Sequence, residues 1–187
     1  MVGLTSLWLP ILLSAVFVFA GSSILHMVLP IHRRDFKKAP GEDKLLEVLR
    51  ASKVAPGDYV FPCAEDPKQM KSPEMMDKYN AGPVGFMSVM PSGLPNMGKL
   101  LVQWFLYSLV IGLFVAYLTG RTVGPGAEYL MVFRVAGASA FLAYAMAHIS
   151  DSIWRGQTWA LTFKRLFDGL IYALLTAGTF AWLWPEV

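Results

Sequence analysis

His26-Met27-Val28-Leu29-Pro30-Ile31-His32-Arg33-Arg34-Asp35-Phe36-Lys37-Lys38 joins two chemically different kinds of chain. Residues 7–29 carry no formal charge, and Arg33, Arg34, Lys37 and Lys38 follow within a few positions. A membrane-spanning helix needs about 20 predominantly apolar residues, so 7–29 is long enough to cross with some tilt. The cations resist translocation and hold their end on the cytoplasmic side. A cleavable signal peptide ending near Val18-Phe19-Ala20 is the competing account. It requires a Lys or Arg before the apolar core, and that stretch has none.

The rest of the chain agrees with a membrane protein. Of 187 residues, 55% are hydrophobic and 16% charged, against about 45–50% and about 25% in soluble domains. The net charge of +3 is too small for an electrostatic nucleic-acid footprint. It is better read as topology information. Cys63 is the single cysteine, which excludes an intramolecular disulfide and a cysteine-based zinc finger.

Three further apolar segments follow, at 100–118, 129–149 and 166–184. Small residues four apart line one side of each. Ser108, Gly112, Ala116 and Gly120 mark the second segment, and Gly169, Ala173, Ala177 and Ala181 the fourth. The third carries two such stripes, Ser139-Ala143-Ala147 and Ala136-Ala140. Small side chains let helix backbones approach closely in lipid, so the expected fold is an all-α bundle of four transmembrane helices. The same stripes would also serve self-association.

The expected domain plan is helix 1 over 1–30, an inner loop region over 31–99, and helices 2–4 over 100–187. A short outer loop spans 119–128 and an interfacial inner loop spans 150–165. The two inner loops hold 14 of the 16 Lys and Arg residues, which places both termini outside. In a bacterium this is the inner membrane, with the termini in the periplasm. Eight of the twelve prolines fall within 31–99, which therefore reads as mostly irregular. Within it 42–53 has a helical apolar face of Leu45, Leu46 and Leu49. Ser72-Pro73-Glu74 opens a second helix that Gly82 stops, and Tyr59-Val60-Phe61 and 84–90 read as a small strand pair.

Candidate chemistry is sparse. His26 and His148 each lie near the inner end of a helix, at similar depth. Two such histidines are what a b-type haem needs as axial ligands. With Asp151 and Asp168 they would equally suit a transition metal. The plainer account is ordinary interfacial placement, the imidazole tips reaching water, and His32 has no companion along the chain. Arg134 lies inside the third helix, where it either snorkels to the headgroups or contacts an anion or substrate. Asp168 reads as a hydrated residue at the interface. Met70, Met75, Met76, Met87, Met90 and Met97 with Cys63 offer soft ligands for copper(I), but their irregular spacing favours a packing or docking surface. His148-Ile149-Ser150-Asp151 holds triad residue types without a nucleophile elbow.

These features suggest a non-enzymatic accessory, assembly or scaffolding protein that presents its inner loop to a protein partner. The alternative is a small redox subunit holding haem b or a metal through His26 and His148. An oligomeric channel or carrier with Arg134 facing a pore is the weaker third. The orientation has a direct test: in intact cells Cys63 should resist a membrane-impermeant thiol reagent and become reactive once the membrane is opened.

Overall fold

The structure, a computed structural model, describes residues 1–186. It is mostly helical, 67%, with one small two-stranded sheet. A 3-10 turn, Leu4–Leu7, leads into α1 (Trp8–Ser23), which widens into a π-helical turn, Ile24–Val28. A second 3-10 turn, Pro30–His32, follows at once. Next come α2 (Glu42–Ala51), β1 (Gly57–Phe61), α3 (Pro73–Ala81) and β2 (Gly85–Val89). The chain then runs through α4 (Met97–Thr122), α5 (Tyr129–Phe141), a second π turn (Leu142–Met146), α6 (His148–Trp154) and α7 (Trp159–Trp182).

Three stretches are long and apolar enough to cross a membrane: Leu4–Val28, Met97–Thr122 and Tyr129–Trp154. Helix α7 has the length, 24 residues, but carries Lys164, Arg165 and Asp168 in its first half. Where the sequence suggests an interfacial loop over 150–165, α6 runs on to Trp154 and α7 starts at Trp159. Only residues 155–158 separate the two helices, with Gly156 at φ 67° making the reversal.

The chain divides into two compact units, Met1–Phe36 with Pro95–Val187, and Lys37–Leu94. In the first, α1 packs on α4 and α7, and α5 packs on α4 and, most extensively, on α7. Small residues make the close approaches. Ser108, Gly112, Ala116 and Gly120 are all buried, and a Cβ added at Gly112 would lie 3.3 Å from the Ile11 carbonyl oxygen of α1. Gly169, Ala173, Ala177 and Ala181 are likewise buried. A Cβ at Gly169 would lie 2.7 Å from Ala145 Cβ and 3.0 Å from its Cα.

Of the two small-residue stripes on the third apolar segment, only one faces inward. Ala136 and Ala140 are buried, but Ala143 and Ala147 are exposed. The π turn at Leu142–Met146 inserts extra residues into the helical repeat. Tyr144 continues the buried row Val132–Ala136–Ala140 through this turn, and Ala145 beside it is buried as well.

The second unit forms around an antiparallel pair in which Tyr59 faces Met87 and Val60 faces Phe86. Ser72 caps α3, its hydroxyl accepting from the Met75 amide at 3.2 Å, and Gly82 follows the helix at φ 61°. These are the elements the strand and capping signals predict. Its interior is thin: Met75 is the one buried apolar side chain of this unit among the described residues. Leu45, Leu46, Val60 and Phe86 are exposed.

Gly169 meets Ala145 backbone, which no rotamer change can move aside. Gly169→Ala is therefore expected to destabilise the detergent-solubilised protein by about 1–3 kcal/mol despite the better helix propensity of alanine. A Cβ at Gly124 meets nothing within 4 Å, so Gly124→Ala should stay within about 0.5 kcal/mol. Thermal unfolding followed by circular dichroism compares the two.

Candidate functional site

The end of α1 builds one wall of the site. The residue before a proline is pushed out of the helical region, and Leu29 accordingly sits at φ −78°, ψ 144°. Its amide closes the widened turn by donating to the Ile24 carbonyl at 2.9 Å. Pro30 has the fixed φ that suits the first position of a new turn, and the Pro30–His32 turn brings His32 back beneath the helix. The His26 and His32 rings stack with centroids 4.2 Å apart and planes 27° from parallel.

Helix α7 supplies the facing wall with three residues spaced four apart, Lys164, Asp168 and Tyr172. This spacing puts them on one side of a helix, one above the other. Lys164 Nζ donates to the Ile31 carbonyl at 2.7 Å and pairs with Asp35. Asp35 accepts from His32 Nδ1 at 2.6 Å. The other ring nitrogen, His32 Nε2, lies 3.2 Å from Asp168 Oδ2. His26 Nε2 lies 3.8 Å from the same oxygen and 3.2 Å from the Tyr172 hydroxyl.

The result is a continuous polar chain, Lys164–Asp35–His32–Asp168–His26–Tyr172. Asp168 is only 4% exposed. Burial pushes the Asp35 carboxyl up, but hydrogen bonds from Lys164 and His32, and their charges, outweigh it and hold the group below its ordinary value.

A cavity of about 370 Å³ adjoins this chain. His26, Asp168 and Tyr172 line one part of it, and His148 and Arg165 another. Aromatic residues fill the remaining wall: Tyr172 lies edge-on to Trp104 at 5.7 Å and to Tyr144 at 5.5 Å. Trp104 Nε1 donates to Ser22 at 2.9 Å, tying α4 to α1 beside the cavity. Both π turns contribute lining residues, His26 from one and Tyr144 from the other.

Of the residues singled out from sequence, His26 and His148 do line one cavity, but the ring packed on His26 is that of His32. His32, which has no companion along the chain, has three in the fold: His26, Asp35 and Asp168. Asp168 is 4% exposed, lines the cavity and lies against two imidazoles. Asp151 faces Arg155 at 3.9 Å and Arg165 at 3.8 Å, while Arg165 also donates to Gln157 at 2.8 Å. Arg134 is exposed on α5 and has no ion-pair partner among the described residues. Lys164, Asp35 and Tyr172 were not apparent as site residues, although the four-residue spacing from Lys164 to Tyr172 was visible in the sequence. No family model, curated protein or solved structure matches this chain.

Among the described residues Lys164 is the one Lys or Arg side chain paired with Asp35. Removing one partner of a fully buried pair costs about 3–5 kcal/mol. Lys164 is about one-third exposed, so Lys164→Met should cost less, about 1–3 kcal/mol in a denaturation experiment. The acid limb has a defined sign. A carboxyl held below its unfolded value of about 3.9 contributes its full stability above that pH and loses it as pH falls through the folded value. The difference between Asp35→Asn and the unaltered protein should therefore shrink as pH falls below about pH 4.

Proposed function

We propose that the chain is a four-span integral membrane protein acting as an accessory or assembly factor, with Lys37–Leu94 as the part it presents to a protein partner. Both termini lie outside and this unit lies in the cytoplasm, in keeping with the 14 of 16 basic residues in the two inner loops. Helix α7 serves as the fourth span. Its polar residues Lys164, Asp168 and Tyr172 turn toward partners on the segment that follows α1, and its small residues toward α5.

One observation carries this reading. The Lys37–Leu94 unit has Met75 as its single buried apolar side chain among the described residues, while Leu45, Leu46, Val60, Phe61, Phe86 and Met90 remain exposed. Units of this size with so little core usually need outside support. On the sheet, Val60 and Phe86 pair directly across the strands and form a ready apolar contact. Extended apolar exposure of this kind marks interaction surfaces. A second reading, a metal-holding subunit, draws on the histidine cluster and moves its ligand pair from His26 and His148 to His26 and His32.

The test is site-specific photo-crosslinking from Val60 and Phe86 in native membranes. A discrete adduct with one other protein is expected, and Val60→Asp combined with Phe86→Asp should abolish capture of that protein. Adducts with lipid alone, or with a second copy of this chain alone, would remove the accessory reading.

A further inference from the structure

We propose that His26, His32 and Asp168 bind one divalent first-row transition-metal ion. The argument starts at His32. A neutral imidazole has one N–H and one lone pair. With its Nδ1 held against Asp35, which is itself pinned by Lys164, a neutral His32 keeps its lone pair on Nε2. That lone pair faces a carboxylate oxygen of Asp168 at 3.2 Å. Two acceptors at this separation repel unless a cation lies between them.

The local charges make the same demand. Asp35 and Asp168 bring two negative charges, and Lys164 returns one positive charge, already directed at Asp35. Arg165, the other cation lining the cavity, is engaged with Gln157 and Asp151. Among the described residues the ion-pair partners of Asp168 are His26 and His32 alone. A buried carboxylate without a compensating cation is costly. A metal ion bound by the two Nε2 atoms and the carboxylate supplies the missing charge.

The geometry suits an ion of this class. The three ligand atoms lie within 4.8 Å of one another and first-row metal–ligand bonds are about 2.0–2.2 Å, so ligation draws the three groups together and rotates the stacked rings until both Nε2 lone pairs converge on the ion. His32 Nε2 and His26 Nε2 lie 3.2 and 3.8 Å from the same carboxylate oxygen, and the ion would replace the 3.2 Å contact of His26 Nε2 with the Tyr172 hydroxyl. Asp35 holding Nδ1 of a ligand histidine is the outer-shell contact that fixes tautomer and ring orientation in metal sites. Two imidazoles and one carboxylate favour zinc or ferrous iron over magnesium or calcium, which prefer all-oxygen shells, and over copper(I), which prefers sulfur. Three protein ligands leave a coordination position open, as sites that admit water or a small molecule do. The adjoining cavity is where that position would face.

The experiment uses the full chain in detergent, with any affinity tag removed, titrated with Co²⁺ and followed by its visible d–d absorption, then by Zn²⁺ displacement. One ion per chain is expected. His26→Gln should weaken binding by at least about tenfold, given that outer-shell changes alone cost about 10–100-fold. The His26 side chain is 48% exposed, so this variant spares the fold, and its unfolding curve will verify that. Asp168→Asn should abolish binding; should it fail to fold, His26→Gln decides. His148→Gln, which lines the same cavity outside the ligand set, should bind as the unaltered protein does. The proposal is overturned if the unaltered chain takes up no ion, if His26→Gln keeps full affinity, or if His148→Gln loses as much as His26→Gln.

Discussion

A carboxylate buried to 4% exposure on α7 sets the terms on which this protein packs. Asp168 cannot be left unpaired away from water, because a lone buried charge costs far more than any single apolar contact returns. Its partners come from the segment after α1, which Pro30 turns back so that His32 reaches it. Asp35 in turn holds His32, and Lys164, one turn before Asp168 on α7, holds Asp35. The chain of contacts begins and ends on α7, and it ties the exit of α1 to that helix by polar bonds rather than by apolar burial.

The apolar part of the same unit obeys a different requirement. Helices in lipid gain nothing from hiding apolar surface, so contact depends on close packing. Gly169 lies against the Ala145 backbone and Gly112 against the Ile11 carbonyl, and neither approach leaves room for a larger side chain. The two π turns act on this packing locally. Each widens a helix for one turn and re-aims the residues beyond it, and together they bring His26 and Tyr144 to one cavity. Local widening of this kind is concentrated at functional sites in helical proteins, which agrees with the cavity being the chemically richest place in the chain.

The Lys37–Leu94 unit solves neither problem by itself. It has regular elements with sound caps and a paired sheet, but one buried apolar side chain cannot offset the ordering of so many residues. Its exposed leucines, valines and aromatics are a deficit that a partner surface would meet. This is a different kind of functional signal from the histidine cluster. The cluster is a set of close polar contacts around a buried carboxylate; the unit is a set of paired backbone elements with little core.

Sequence by itself determined the features that depend on neighbours along the chain. Three apolar runs of spanning length, the capping of α3 by Ser72, the strand pair around Val60 and Phe86, and two of the small-residue faces all come from local period and composition. The distribution of basic residues was equally open to inspection. The tertiary structure alone decided the site. His32 and Asp168 are 136 residues apart, and their meeting depends on where Pro30 turns the chain and on which face of α7 looks inward. Of the two small-residue stripes on the third segment only Ala136-Ala140 is buried, and which of the two faces inward is decided by how that helix packs on α7. Spacing can place a residue on a face of its own helix; it cannot say which face of another helix will arrive there.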